Sequence, residues 1–143
     1  MEPLSREEIL EAIKRLKNNK AAGIDNISAE LIKYGGQHLH DKIISLIMDI
    51  WQEETMPEEW DEGILVALHK KEDRTICSNY RGICILPVGY KILSYILYKR
   101  LRIHCENVIG DYQAGFRQSR STIDQIFILR QMLEKYWEFY KIS

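Results

Sequence analysis

The chain has 143 residues, 45% of them hydrophobic and 29% charged, with 20 Lys+Arg against 21 Asp+Glu and a formal net charge of −1. That composition excludes wholesale disorder and gives no global sign of a polyanion binder. No apolar run approaches the roughly 18 residues of a membrane span, and residues 1–25 lack a secretory-signal pattern. Cys77, Cys84 and Cys105 are an odd, widely spaced set rather than a disulfide framework. The expectation is one domain, 1–143, in a reducing compartment: intracellular, in cytoplasm or nucleus, not secreted, and without a membrane partner.

The elements follow in order. Ser5 and Glu8 have the spacing of a capping box, and Ile9, Ile13 and Leu16 repeat at helical period, so a helix is expected over 6–18. A turn-rich segment, 21–26, comes next. Ser28 can cap a short helix that Gly35 and Gly36 end. Leu39, Ile43, Leu46, Ile47, Ile50 and Trp51 form an apolar stripe, which predicts a helix over 39–54. Residues 63–68 are short, apolar and flanked by turn formers, and read as a buried strand. A polar loop, 70–79, leads to a second extended piece, 80–86, ended by Pro87. A long helix over 88–106 would place Ile92, Leu93, Ile96, Leu97, Leu101 and Ile103 inside. Residues 113–120 read as a loop or hairpin. Ser121 looks like an N-cap for a final helix, 122–140, that would pack Ile126, Phe127, Leu129, Leu133, Trp137 and Tyr140. The fold class is mainly α with a small β element, α+β.

Charge is unevenly placed. Residues 1–66 carry 7 Lys+Arg against 14 Asp+Glu, whereas residues 67–120 carry 10 against 4, a net of +6. Such a block is either a phosphate-binding face or a solvated surface. Three patterns bear on the choice. Lys70 and Lys71 stand where the predicted strand enters its loop, as mobile point charges able to reach phosphates or simply to be solvated. Arg81 precedes Gly82; its guanidinium can bind a phosphate bidentately or form a structural salt bridge with the acidic half. In the run Gln113 to Thr122, Gly115 allows close approach of a backbone, Phe116 can stack on a base, and Arg117 and Arg120 supply charge. The same run is also compatible with a helix-capping hairpin that buries Phe116.

The order of these pieces carries a resemblance. Residues 20–31, Met56-Pro57-Glu58-Glu59-Trp60, His69-Lys70-Lys71, Asn79-Tyr80-Arg81-Gly82-Ile83, Tyr90-Lys91-Ile92-Leu93-Ser94 and Tyr112-Gln113-Ala114-Gly115-Phe116-Arg117 with Arg120-Ser121-Thr122 stand in order and at spacing. The chain resembles the N-terminal fingers portion of the reverse transcriptase of non-LTR (LINE-type) retrotransposons. The resemblance covers nearly the whole chain. It implies the fingers of a right-hand polymerase with the palm truncated. Lys70, Lys71 and Arg81 would face the nucleotide triphosphate. Gln113, Gly115, Phe116, Arg117 and Arg120 would line the path of the RNA template. The implied partners are template RNA, primer and, in a full-length enzyme, a dNTP.

Three departures from the family pattern stand out. Asn26, Glu72 and Ser119 each occupy a position where the family has glycine. Asparagine tolerates a left-handed backbone, so the turn at Asn26 is expected to survive. Glu72 puts a negative charge in the proposed phosphate zone.

Two-metal nucleotidyl transfer needs carboxylates that hold ions about 3.5–4 Å apart. The seven aspartates, Asp25, Asp41, Asp49, Asp61, Asp73, Asp111 and Asp124, include no adjacent pair and none in an apolar strand. No catalytic or metal-ligating residue is therefore assigned, Mg2+ is expected only with a downstream palm, and the chain alone is not expected to polymerise. The alternatives are a non-catalytic nucleic-acid-binding remnant and a helical protein-interaction module. Self-association through the apolar face of the last helix, Phe127 and Trp137 included, is also expected.

Overall fold

The computed structural model describes residues 3–140. The chain falls into two compact units, one through Leu101 and one from Arg102 onward. Helices dominate, and two strands form an antiparallel sheet, in agreement with the α+β expectation.

The first unit begins with α1, Arg6–Lys14, entered through the expected capping box. Ser5 Oγ accepts the Glu8 N–H at 3.2 Å, and the Glu8 carboxylate accepts the Ser5 N–H at 3.0 Å. α1 stops short of the predicted residue 18. Asn19 then turns the chain with a φ of 56°, a left-handed conformation that asparagine adopts more readily than most residues. Asn26 is left-handed too, at 55°. Its N–H closes a turn onto the Gly23 carbonyl at 3.1 Å, so the expected turn is present without glycine. Gly23 is needed for a different reason. A Cβ there would come within 2.7 Å of the Pro87 backbone, so only glycine lets this segment pack against the start of the fourth helix.

Ser28 caps α2, Ala29–Tyr34, by accepting the Leu31 N–H at 3.2 Å. α3, Gly36–Glu53, follows and ends where Glu54 turns left-handed. The strands are β1, Ile64–His69, and β2, Tyr80–Ile85, paired with Leu68 opposite Arg81 and His69 opposite Tyr80. α4 runs from Val88 to Val108. The core joins Ile9 and Ile13 of α1, Ile32 of α2, Ile44, Ile47 and Ile50 of α3, Trp60, and Val88, Ile92, Leu93 and Ile96 of α4. Full burial of each such side chain contributes roughly 1.5–3 kcal/mol. Two ion pairs add to the rim of this core: Arg100 with Glu8 at 2.8 Å, and Lys99 with Glu11. The Arg100 hydrogen bonds and the Ser5 N–H hold the Glu8 carboxyl down to about 2, against an ordinary 4.5. A carboxyl depressed by folding stabilises the fold above its unfolded value. This contribution is complete above about pH 4.5 and is lost as pH falls toward 2.

Two expectations are corrected. The strand over 64–68 is not buried: Leu65 is 74% exposed, and Ile64, Val66 and Leu68 are exposed as well. A short apolar run has the same composition whether or not a second layer covers it, and the two-stranded ribbon has no such layer among the described residues. Burial along α4 also ends at Ile96, so Leu101 and Ile103 lie exposed rather than inside.

The second unit contains the end of α4, a turn-rich stretch, and α5, Thr122–Tyr140. Ser121 caps α5 as expected, its Oγ accepting the Ile123 N–H at 3.1 Å. The expected packing of Ile126, Phe127, Leu129, Leu133, Trp137 and Tyr140 is overturned, since all six are exposed and no residue of α5 is buried. Helical periodicity gave the length of α5 correctly but cannot supply a facing element. No helix among the described residues is long and apolar enough to cross a membrane.

Candidate nucleic-acid interface

In the first unit, the candidate nucleotide-side residues sit at the end of the β1–β2 hairpin. The Lys70 N–H bonds the Asn79 carbonyl at 2.8 Å, which carries the ladder one step past β1. Strand alternation then places Leu68, Arg81 and Lys70 on one face. The intervening loop is fastened by its own polar groups. Asp73 accepts from the Thr75 N–H and hydroxyl, both at 2.8 Å; Asn79 Nδ2 donates to the Asp73 carbonyl at 2.8 Å; the Tyr80 hydroxyl donates to the Arg74 carbonyl at 2.9 Å. The Thr75 N–H and hydroxyl hold the Asp73 carboxyl below its usual range.

Beside this fixed loop, Lys70 and Arg81 are exposed, and neither side chain makes an ion pair or hydrogen bond among the described residues. The structural salt bridge considered for Arg81 is therefore not formed. Lys71 pairs with Glu72 at 3.4 Å, both side chains largely in solvent. Glu72 has a φ of 68°, so the departure from glycine falls at a left-handed position.

In the second unit, the candidate template-side residues lie between α4 and α5. Arg117 is the keystone of this loop. Its side chain is only 8% exposed and pairs with Glu106 at 2.8 Å. It also donates to the carbonyls of Gly110 at 3.0 Å and Gln113 at 3.3 Å. The Arg117 hydrogen bonds hold the Glu106 carboxyl below its ordinary range. Arg120 pairs with Asp111 at 2.7 Å, and Gln113 Nε2 donates to the Gly115 carbonyl at 3.3 Å. Ala114 is buried.

Phe116 is the opposite case. It lies entirely in solvent, 106% exposed, and its φ is 62°. The alternative of a hairpin that buries Phe116 is thus excluded. A left-handed backbone costs an L-residue roughly 1–2 kcal/mol, and an aromatic there is a genuine outlier. Ser119, the departure from glycine in this loop, is left-handed as well, at 59°. Reading the sequence alone missed Glu106, which lies in a helix eleven residues before Arg117 and carries no local signal of its role.

Among the described residues, no three His, Cys, Asp or Glu side chains come together to hold a metal ion. The described groups therefore do not assemble a Mg2+ site.

Comparison with known proteins gives these loops a context. No family model matches the chain. It is 33% identical over 122 residues to a 115 kDa protein of the type-1 retrotransposable element R1DM of Drosophila melanogaster, covering 82% of this chain and 12% of that protein. It is 30% identical over 129 residues to a protein named "Probable RNA-directed DNA polymerase from transposon BS", also from Drosophila melanogaster, covering 88% of this chain and 14% of that one. It is 30% identical over 124 residues to a retrovirus-related Pol polyprotein of the type-1 element R1 of Bradysia coprophila, covering 85% and 12%. The chain thus spans 10–15% of the length of these curated relatives. On these similarities, the chain belongs to the family of non-LTR retrotransposon proteins that includes RNA-directed DNA polymerases.

Proposed function

We propose that the chain is the fingers portion of a non-LTR retrotransposon reverse transcriptase, one partial domain that contributes contacts to template RNA and to an incoming nucleotide. The observation that carries this reading is Phe116, a bulky aromatic presented wholly to solvent on a strained backbone. Strain of this kind gathers at ligand clamps, where surrounding structure holds it in place. Here Arg117 does the holding, through Glu106 and two carbonyls. An exposed aromatic on a fastened loop is suited to stack on an unpaired base. In the first unit, Lys70 and Arg81 lie on one face of the hairpin end without carboxylate partners, which suits them to phosphate oxygens. Lys71 is the weaker candidate, because it shares its charge with Glu72. In the whole protein, a palm supplied by other residues would carry the metals and the transfer chemistry.

The test is titration of the chain with labelled single-stranded RNA at several salt concentrations. Base stacking contributes roughly 1–3 kcal/mol by alanine substitution, so Phe116→Ala should weaken binding about tenfold or more with little change in salt slope. Arg81→Ala should instead flatten the salt dependence. Binding that ignores both substitutions contradicts the reading.

A second reading concerns α5 and rests on its exposed Phe127, Leu133 and Trp137. Under this reading the chain self-associates through that face. Sedimentation should show concentration-dependent association that Phe127→Asp with Trp137→Asp abolishes. A monomer at all concentrations rejects it.

A further inference from the structure

A cleft in the first unit lies outside both loops. Its volume is about 450 Å³, and it is lined by Leu16, Lys17, Lys20, Ala21 and Ala29 together with Cys84, Ile85 and Lys91. We infer that this cleft is a binding site for a nucleotide unit, with its phosphate held by Lys17, Lys20 and Lys91 and its base laid on the apolar floor. The inference goes beyond the proposed template and triphosphate contacts and uses none of their residues.

Three features support it. First, among the described residues the lining contains three lysines and no carboxylate. None of the three ammonium groups makes an ion pair or hydrogen bond among the described residues. Three like charges on residues lining one cleft, without counter-charge among the described residues, favour an anion.

Second, the wall that carries Lys17 and Lys20 is held in place. Lys33 Nζ donates to the Leu16 carbonyl at 2.9 Å and to Asn18 Oδ1 at 3.4 Å. Asn18 Nδ2 donates to the Tyr34 hydroxyl at 2.9 Å, and the Asn19 N–H donates to the Glu30 carboxylate. α2 thus fastens a segment that has no regular structure of its own, so its backbone is already ordered before binding. Glu30, next to the lining residue Ala29, accepts that backbone N–H, which also lowers its pKa.

Third, the cleft is too large and too apolar for a bare phosphate. Its volume lies within the range of pockets for small organic ligands, roughly 300–1,000 Å³. Leu16, Ala21, Ala29 and Ile85 supply an apolar floor for a flat ring. Phosphate and a flat ring together are the chemistry of a nucleotide, either free or as one unit of a strand.

Cys84 provides a local reporter, because its thiol is free, exposed and in the lining. The experiment follows alkylation of Cys84 and Cys77 by peptide mapping in the 143-residue chain. The added probes are AMP, a single-stranded oligoribonucleotide or inorganic phosphate. AMP, the oligonucleotide or both should slow alkylation of Cys84 several-fold without slowing Cys77. Protection by AMP identifies a free nucleotide as sufficient, and protection by the oligonucleotide alone identifies a strand. The triple variant Lys17→Gln, Lys20→Gln, Lys91→Gln should lose the protection, and Lys42→Gln, outside the cleft, should keep it. Circular dichroism confirms that the triple variant is folded. The inference is overturned if Cys84 is unprotected by both nucleotide probes. It is equally overturned if the triple variant is protected as well as the parent, or if inorganic phosphate protects as well as AMP. RNA binding that responds to Phe116→Ala while Cys84 stays unprotected would sink this site alone and leave the proposed function standing.

Discussion

The two candidate loops use their basic residues in opposite ways. At the hairpin end, backbone groups, Asp73 and neutral side chains do the fastening, and Lys70 and Arg81 are left without side-chain partners among the described residues. In the loop before α5, the arginines themselves do the fastening, and the group left over is an aromatic, Phe116. A count of positive charge treats the two loops alike. The structure separates a loop that exposes charge from a loop that exposes an aromatic ring, and basic residues in one chain are left to solvent in the first and serve as internal scaffolding in the second.

This contrast can be broken most forcefully at Arg117. Hydrogen bonds to charged groups contribute about 1.5–3 kcal/mol. Arg117→Ala also leaves the Gly110 and Gln113 carbonyls and Glu106 without that partner. It should destabilise residues 109–121 by about 2–3 kcal/mol, read as faster amide exchange in that stretch with little change in the hairpin. Arg117→Lys should not restore protection, because an ammonium cannot reproduce the guanidinium fork. Unchanged exchange would mean that Arg117 is not the fastener.

Arg81→Ala is the complementary change. With no partner to lose, it should leave stability within about 0.5 kcal/mol while weakening nucleic-acid binding. Thermal denaturation alongside an RNA titration separates the two. A large loss of stability would show that Arg81 is structural after all.

The smallest effects are expected at Glu72 and Ser119, two of the three left-handed residues that stand where the family pattern has glycine. Ser119→Gly should stabilise the chain by up to about 1 kcal/mol, since it removes the cost of a Cβ at positive φ. Glu72→Gly should do the same on a similar scale. It should also free Lys71 from its ion pair and raise affinity for RNA at low salt. A loss of stability in either variant would show that the side chain contributes more than the backbone conformation costs.

Local chemistry was legible in the sequence, and long-range pairing was not. Ser5 with Glu8, Ser28 and Ser121 announce helix starts because a cap and its N–H lie within three residues of each other. Asn26 could be expected to turn left-handed because asparagine tolerates that backbone. Burial was misread in β1 and α5, because periodicity reports which side of an element is apolar and not whether anything covers it. The Glu106–Arg117 pair and the lysine cleft were invisible for a related reason. Each depends on side chains brought together across intervening turns, and no spacing rule encodes that. Phe116 lay between two legible alternatives, stacking surface or core residue, and its exposure excludes the second.

The account turns on Phe116 as a base-stacking surface, and photocrosslinking tests that most directly. The chain is irradiated with single-stranded RNA at low salt, digested, and the crosslinked peptides are sequenced. The expected result is a crosslink within residues 113–120, centred on Phe116 and lost on competition with unlabelled RNA. RNA crosslinked only to the helices α1–α3, or not at all, would contradict the account.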